Sequence, residues 1–289
     1  MTEVLKTRAA WQQRDRLALP VAELRQVAHT LRRAVVELVR RQAQGYVQQG
    51  LGAAEIFASL YFNEARIDPA DARWMERDRC ILSTAHNSAL FHAALALRGM
   101  IPAASLDDYV KDGSTLEINV SERLGPVVEG TFGSLGQGLS VAAGMALASR
   151  IRGVPYRINV VLGDGELNEG QVWEAAMFAG SSGLGNLCCI LDLNWMQVEG
   201  HCDSVLRLDP IADKWRAFNW QVIEVDGHDL DALLAAFAQA RAHTTQPTMI
   251  VATTVPGKGV SALEGVISHN AKLPNDVAEA ALAELGETA

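Results

Sequence analysis

The stretch RINVVLGDG, residues 157–165, decides the expected fold, because it is a short apolar run that ends in a Gly-Asp-Gly turn. A second apolar run, LCCILDL at residues 187–193, ends in Asn194, which follows Asp164 by 30 residues. Both runs have the length and composition of buried parallel strands, and the segment between them can hold a helix. Since the carboxyl ends of neighbouring strands face one crevice in an open α/β sheet, we expect Asp164 and Asn194 to converge on one ligand.

The residue types at these two strand ends predict a metal site. Carboxylate and amide oxygens suit Mg²⁺, which binds a few protein oxygens together with phosphate and water oxygens. A Gly-Asp-Gly sequence by itself is more often a simple turn than a metal site. The spacing to Asn194 and the strand, helix and strand context make this copy a specific prediction.

The alternation of predicted strands and helices indicates one α/β domain over residues 20–289, with a doubly wound, mainly parallel sheet and helices on both faces. Residues 1–19 are polar and rich in Arg and Gln, and we interpret them as a loosely docked N-terminal extension. Helices are predicted at residues 20–45, 53–62, 88–98, 138–150, 229–242 and 275–285, and strands at residues 79–82, 157–162, 187–193, 220–225 and 247–253.

The composition argues against two classes of partner. The chain has 289 residues, of which 49% are hydrophobic and 20% are charged, as in an ordinary globular protein. Its formal net charge of −9, without a cluster of Lys and Arg, argues against binding to nucleic acid or to an anionic membrane. An anionic ligand must therefore be held by a local positive field.

The four cysteines show neither the paired spacing of a zinc site nor a disulfide framework. Cys188 and Cys189 are adjacent in a predicted strand, so their side chains are expected to point to opposite faces as small core residues. We find no apolar signal region in the first residues and no apolar stretch that could span a bilayer. These features lead us to expect a cytoplasmic protein.

Several blocks of the sequence resemble transketolases, in the same order and over roughly residues 27–274. The Gly-Asp-Gly joined to a later asparagine is similar to the thiamine diphosphate motif of that family. The other matching blocks are LSTAHNS at residues 82–88, GSLGQGLSVAAGMALA at residues 133–148, DGHD at residues 226–229, and GKGV at residues 257–260, with Ser268, His269 and Pro274 downstream. The resemblance implies the thiamine diphosphate-binding fold, in the form of its diphosphate-binding domain.

The resemblance also implies the metal ligands. They would be the Asp164 carboxylate, the side-chain oxygen of Asn194 and the backbone carbonyl of Met196. Two diphosphate oxygens and a water would complete an octahedron around Mg²⁺, or around Ca²⁺ or Mn²⁺ in its place.

Further residues are implied to contact thiamine diphosphate. A helix directly after Gly165 is expected to present free N–H groups and its positive dipole end to the diphosphate. Glu169 aligns with a family glutamate that reaches toward the neighbouring subunit. For Glu166 we favour a solvated first helical turn, with cofactor contact as the alternative. The complete set of candidate cofactor-binding residues is Gly133, Ser134, Leu135, Gly163, Asp164, Gly165, Glu166, Glu169, Asn194 and His86.

Four residues are candidates for catalysis. His86 matches a cofactor- and substrate-facing histidine of transketolases, and His269 matches one that contacts the reacting end of the sugar. Tyr46 and Asn119 stand where the family has histidines, and neither side chain titrates near neutral pH as imidazole does. These two departures predict rearranged proton transfer or a changed substrate, and a specialised acceptor such as a deoxy or modified sugar or a carrier-bound acyl group would explain them. His228 is expected to be structural.

The resemblance also implies a partner. Thiamine catalysis needs a glutamate on the aminopyrimidine ring, and in transketolases that glutamate lies in a second domain, which also supplies the residues for the substrate phosphate. The chain thus resembles the N-terminal subunit of a split transketolase. The second subunit would carry the pyrimidine-binding and C-terminal domains, in an expected α2β2 assembly.

We therefore expect a thiamine diphosphate-dependent transferase that moves a two-carbon ketol unit from a ketose donor, usually phosphorylated, to an aldehyde or a specialised acceptor. Two alternatives stay open. One is that the chain is the first subunit of a 2-oxoacid dehydrogenase or decarboxylase, since those enzymes share the metal motif. The second is a cofactor-binding subunit without catalysis. The GSLGQGLS block favours the transketolase side, and turnover in the presence of the second subunit would exclude the non-catalytic alternative.

Overall fold

A sheet of five parallel strands forms the centre of the fold. The computed structural model describes residues 9–42, 45–269 and 273–287. Each predicted strand is present, with bounds that shift by one residue at most. The strands are β1 (Arg79–Leu82), β2 (Ile158–Gly163), β3 (Leu187–Leu193), β6 (Gln221–Asp226) and β7 (Thr248–Thr253), and a short hairpin of β4 (Met196–Gln197) and β5 (Gly200–His201) follows β3.

The order of the strands creates a crevice at their carboxyl ends. The order is β1-β2-β3-β7-β6, so the chain passes from β3 to the outer strand β6 and returns to insert β7 beside β3. Ligands of open α/β sheets bind at the carboxyl ends of the strands where the order reverses in this way. Gly163 of β2 pairs with Asp192 of β3, so Asp164 and Asn194 leave the sheet at the same edge.

Helices cover both faces of the sheet, which confirms the doubly wound prediction. The helices are α1 (Val21–Gln42), α2 (Val47–Gly52), α3 (Ala54–Ser59), α4 (Ser88–Leu97), α5 (Gln137–Arg152), α6 (Gly170–Ser181), α7 (Cys202–Val205), α8 (Ile211–Ala217), α9 (Leu230–Ala242) and α10 (Asn275–Glu287). One core contains side chains of α1, α3, α4, α9 and α10, and the second contains those of α5, α6 and α8. Cys188 lies in the first core and Cys189 in the second, as their alternation along β3 predicts. In the described part of the chain, no helix has the length and apolar character needed to cross a membrane.

The helix predicted at residues 53–62 is built differently. It is α3 followed by a π-helical turn, Leu60–Glu64, and α2 precedes it although no helix was predicted there. Gly52 allows this segment to pack closely, because a Cβ atom at position 52 would lie 2.9 Å from the Val255 carbonyl oxygen. The packing partner is distant in sequence, so local periodicity could not reveal it.

The prediction of a helix directly after Gly165 is wrong. Residues Gly165–Asn168 form a 3₁₀ turn, and α6 begins at Gly170. The tighter turn directs the Glu166 carboxylate inward, where it accepts a hydrogen bond from the Gly136 backbone N–H (2.7 Å). This tertiary contact replaces the solvated helix start that the local sequence suggested.

Residues 9–19 are packed against the rest of the chain rather than loosely docked. Trp11 is 1% exposed, and the buried Arg98 guanidinium donates hydrogen bonds to the backbone carbonyls of Trp11 (2.9 Å) and Asp15 (3.0 Å). Residues 1–8 lie outside the described residues. The division of the chain into an extension and one domain stays a prediction.

Gly180 on α6 lies against the turn that leads into β6. A Cβ atom at position 180 would lie 1.8 Å from the Phe218 carbonyl oxygen. Because a backbone oxygen cannot yield as a flexible side chain can, we expect Gly180→Ala to lower the free energy of unfolding by about 3 kcal/mol. Gly144→Ala on α5 is the matched control, since no atom lies within 4 Å of a Cβ atom there. Urea denaturation measures both variants, and a Gly180→Ala protein as stable as the parent would contradict this packing.

Candidate active site

The two predicted metal-binding side chains meet at the carboxyl edge of the sheet. Asp164 follows β2 and Asn194 follows β3, and both are buried. Asp164 Oδ2 accepts a hydrogen bond from the Trp195 backbone N–H, and its Oδ1 accepts one from the Gly165 N–H (2.7 Å). These contacts join the turn after β2 to the hairpin after β3, so the fold itself brings the two residues together.

Neighbouring groups set the orientation of the Asn194 side chain. Its Oδ1 accepts a hydrogen bond from the Met196 N–H (3.0 Å), and its Nδ2 donates to Asp192 Oδ2 (3.3 Å). Between these residues Trp195 has a φ of 60°, a left-handed conformation that is uncommon for residues other than glycine. The resulting tight turn keeps Asn194 and Met196 at the same cavity.

This cavity has a volume of about 310 Å³. Eight lining residues were not predicted, although each lies within three positions of a predicted site residue in the sequence. Ten predicted residues line the cavity, namely His86, Leu135, Gly163, Asp164, Gly165, Glu166, Glu169, Asn194, Met196 and His269, and the unpredicted ones are Gln49, Thr84, Asn87, Asn168, Asp192, Gln197, Val198 and Glu199.

The lining of the cavity is acidic. Among the described residues that line it there are five carboxylates, of Asp164, Glu166, Glu169, Asp192 and Glu199, and neither Lys nor Arg. Burial, and after it the nearby Asp192 carboxylate, raises the pKa of Asp164 to about 7. An anionic ligand could therefore be held here only together with a cation that offsets this charge.

The available donors fit a hard divalent cation. The Asp164 carboxylate, the Asn194 amide oxygen and the Met196 carbonyl are all oxygen ligands, as Mg²⁺ prefers. Over residues 9–42, 45–269 and 273–287, no three His, Cys, Asp or Glu side chains form a group that could hold a metal. The predicted set does not need such a group, because it combines one carboxylate with two neutral oxygens. The metal-binding roles of the three residues stay predictions.

Glu166 is buried, so the favoured interpretation of a solvated helical turn is wrong. Its carboxylate accepts hydrogen bonds from Ser83 Oγ and from the backbone N–H groups of Gly136 (2.7 Å) and Gly163 (3.3 Å). Burial raises its pKa. Glu166 therefore connects the segments at Ser83, Gly136 and Gly163 around the cavity. Glu169, by contrast, is exposed at the start of α6. Cofactor contact by either residue stays a prediction, as does the reach of Glu169 toward another subunit.

Tyr46, His86 and His269 form a cluster of rings beside the cavity. The ring centroids of the two histidines are 4.2 Å apart, and the Tyr46 ring lies 4.7 Å from His86 and 5.4 Å from His269. Burial is the main cause that lowers the pKa of His86 to about 4, and the electrostatic interaction with His269 lowers it further. Burial also lowers the pKa of His269. Burial raises the pKa of Tyr46. At neutral pH the cluster thus offers two neutral imidazoles that can accept protons and a phenol that can donate a hydrogen bond.

Three other predicted residues lie together outside the cavity lining. Asn119, Gly133 and Ser134 are exposed, and a Cβ atom on Gly133 would lie 3.6 Å from the Asn119 Cβ atom. Gly133 and Ser134 come just before α5 in the sequence, and Asn119 lies next to Gly133 at the surface. Their roles in catalysis and cofactor binding stay predictions.

Known proteins resemble this chain over most of its length. The family model described as the transketolase, thiamine diphosphate binding domain matches residues 24–288. A 6-deoxy-6-sulfo-D-fructose transketolase subunit of Clostridium sp. (strain MSTE9) is 42% identical over 264 residues, which are 91% of this chain and 96% of the relative. One subunit of the apulose-4-phosphate transketolase of Actinobacillus succinogenes is 37% identical over 265 residues, again 91% of this chain and 96% of the relative.

A solved structure shows the same architecture. The crystal structure of transketolase from Campylobacter jejuni superposes with a TM-score of 0.87 at 29% sequence identity. The match covers 93% of this chain and 43% of the transketolase chain. The chain thus spans less than half the length of that transketolase, but nearly the full length of the two relatives named as subunits.

Proposed function

The chain belongs to the transketolase family, and from this premise we propose that it is the thiamine diphosphate- and metal-binding subunit of a two-chain transketolase. The observation that carries the proposal is the meeting of Asp164 and Asn194 at a cavity that also contains His86 and His269. The lengths of the relatives support the two-chain form, since the chain spans 96% of a relative named as a subunit, but only 43% of a transketolase chain.

The residues at the carboxyl edge would hold the metal and, through it, the diphosphate. Asp164, Asn194 and the Met196 carbonyl would bind the cation, which would offset the acidic lining and attract the diphosphate oxygens. The chemistry that bound thiamine diphosphate supplies is a nucleophilic carbon that takes up and passes on the two-carbon unit. The buried Glu166 would keep the surrounding loops in place.

The ring cluster would handle protons on the substrate. His86 and His269 are neutral at pH 7, so a ring nitrogen of either can take a proton from a sugar hydroxyl and return it later in the reaction. Tyr46 packs edge-to-face against both rings. Its hydroxyl would offer a hydrogen bond where other transketolases have an imidazole.

We propose an anionic ketose as the donor. The two subunit relatives are named for a 6-deoxy-6-sulfo-fructose and for an apulose 4-phosphate, so each name includes an anionic sugar. The described lining of the cavity has neither Lys nor Arg. The charged end of the sugar would therefore be bound by residues of the second subunit.

Product analysis tests the proposed reaction against the thiamine enzymes of 2-oxoacid metabolism. The assembled enzyme is incubated with a ketose donor and an aldehyde acceptor, and mass spectrometry identifies the products. We expect the ketose donor to be converted to an aldehyde that is two carbons shorter, and the acceptor to be converted to a ketose that is two carbons longer. Release of CO₂ from a 2-oxoacid without ketol transfer would contradict the proposal, and an assembled enzyme without turnover would favour a non-catalytic subunit.

The double variant Tyr46→His and Asn119→His tests whether these positions select the substrate. We expect its rate with ordinary phosphoketoses, relative to the native donor, to rise by about tenfold or more, because an imidazole exchanges protons near neutral pH. Most of the gain should come from Tyr46→His, since the Tyr46 ring contacts both histidines and Asn119 is exposed. Initial rates with two donors measure the ratio, and Tyr46→Phe is the control without an imidazole. An unchanged ratio would remove both positions from donor selection.

The α2β2 stoichiometry and the cytoplasmic location also belong to the proposal. All four cysteines, Cys80, Cys188, Cys189 and Cys202, are free and buried. Free cysteines are compatible with the reducing environment of the cytoplasm.

A further inference from the structure

Three buried side-chain oxygens at the cavity accept no hydrogen bond from any described residue. They are Oε1 of Gln49, Oδ1 of Asn87 and Oδ1 of Asn168. Asn168 is only half-buried, whereas Gln49 and Asn87 are 4% and 1% exposed. Buried acceptors are nearly always paired in folded proteins, because an unpaired one loses its hydrogen bonds to water without replacement. A ligand that donates to these oxygens would therefore gain affinity.

The chain fixes which end of the Gln49 amide is oxygen. Nε2 donates to the backbone carbonyl of His269 (2.8 Å), and a carbonyl can only accept. A flipped amide would place two oxygens against each other. Gln49 Oε1 is thus a rigid acceptor, held beside His269 by a contact across 220 residues of sequence.

The Asn87 side chain interacts with the Asp192 carboxylate. The same carboxylate accepts hydrogen bonds from Thr254 Oγ1 (2.5 Å) and Asn194 Nδ2 (3.3 Å). Because a carboxylate is an acceptor, the Asn87 amide faces it with Nδ2, and Asn87 Oδ1 has no donor among the described residues. Asp192 therefore links this free oxygen to the predicted metal ligand Asn194.

We propose that Gln49 and Asn87 are specificity-determining residues that accept hydrogen bonds from hydroxyl groups of the ketose bound beside His86 and His269. The inference rests on the proposed function. The diphosphate is not the ligand expected here, because an ionised diphosphate oxygen has no hydrogen to donate. Sugar hydroxyl groups are donors, and two fixed acceptors distinguish a hydroxylated substrate from a deoxy analogue.

The variant Gln49→Met removes the acceptor and keeps the side-chain volume close to the original. In the assembled enzyme we expect kcat/KM for the ketose donor to fall by roughly 10- to 100-fold. Gln48→Met is the matched control, since Gln48 is equally buried and its Oε1 also lacks a donor among the described residues, but it does not line the cavity. Its kcat/KM should stay within about twofold of the parent value.

A series of monodeoxy ketoses separates hydrogen bonding to substrate from a structural effect. With the parent enzyme, kcat/KM for one of the deoxy donors should be lower than kcat/KM for the unmodified donor by a factor of similar size. With Gln49→Met, kcat/KM should be the same for that deoxy donor and for the unmodified donor, because the hydrogen bond is already absent. The inference would be overturned by equal deoxy losses in parent and variant, or by a Gln49→Met enzyme within twofold of the parent. Calorimetry should show unchanged thiamine diphosphate affinity in the variant, and an equal drop in that affinity would assign Gln49 to the cofactor instead.

Binding of a pentitol, a sugar alcohol that cannot react, gives a readout independent of turnover. Calorimetry on the assembled protein should show weaker pentitol binding for Gln49→Met and for Asn87→Leu than for Gln48→Met. Equal binding by all three would overturn the inference. Absence of ketol transfer by the parent enzyme, together with this pattern of pentitol binding, would instead overturn the proposed reaction and leave the two acceptors assigned.

Discussion

Asp164→Ala is expected to weaken magnesium-dependent binding of thiamine diphosphate by more than about 100-fold, since even residues that only support metal ligands typically contribute 10–100-fold. Asp164 is the only charged member of the proposed donor set. Its two oxygens also accept hydrogen bonds from the Trp195 and Gly165 N–H groups, and these bonds join the ends of β2 and β3. The variant therefore loses a metal ligand and the contact that aligns Asn194.

Calorimetry of thiamine diphosphate binding in the presence of Mg²⁺ and the second subunit measures this effect. Asp164→Asn keeps the shape of the side chain and one acceptor oxygen, so its affinity should fall between those of parent and Asp164→Ala. Asp203→Ala removes an exposed carboxylate from α7, close in sequence to the same hairpin, and should bind as the parent does. Parent-like affinity of Asp164→Ala would remove Asp164 from the site.

The isolated chain is expected to bind thiamine diphosphate weakly, and an α2β2 assembly with the second subunit is expected to bind it tightly. By the resemblance to transketolases, we expect the pyrimidine half of the cofactor to bind to the second subunit. Val198 and Ile267 line one cleft with His269 of the cavity, and they are 68% and 41% exposed. Exposed apolar residues grouped in this way are typical of a surface that a partner covers.

Light scattering of the chain, of the second subunit, and of their mixture measures assembly, and calorimetry on the same samples measures cofactor affinity. Val198→Lys should weaken assembly, because Val198 lines the cavity and is exposed beside it. Ile151→Lys is the matched control, since Ile151 is 75% exposed near the end of α5, where the chain turns toward the amino end of β2. Tight cofactor binding by the isolated chain would contradict the two-chain site.

The strands could be predicted from sequence because each is an apolar run bounded by turn residues. The incorrect predictions all concern residues whose contact partners are distant in the sequence. Trp11 looked like part of a polar extension, and its burial depends on Arg98 just after α4, 87 positions away. Glu166 looked like a solvated helical turn, and its burial depends on Ser83, which lies 83 positions away. Local periodicity contains no information on such contacts.

The site could be predicted where a residue type has a recognisable chemistry. Asp164 and Asn194 stand out as polar side chains at the ends of apolar strands, and His86 and His269 stand out by their match to a family. Gln49 could not be predicted, because an amide within a short glycine-containing helix has no distinctive sequence signature. Only the structure shows that one of its atoms is paired with His269 and that the other is left without a donor.

The most direct test of the two-chain transketolase is an assay of ketol transfer by this chain, by the second subunit, and by their equimolar mixture. The reaction contains a ketose donor, an aldehyde acceptor, thiamine diphosphate and Mg²⁺, and the lengthened acceptor is quantified over time. We predict transfer by the mixture alone, and loss of that transfer when Mg²⁺ is chelated. Full transfer by this chain without the second subunit, or no transfer by a mixture that has assembled, would contradict the account.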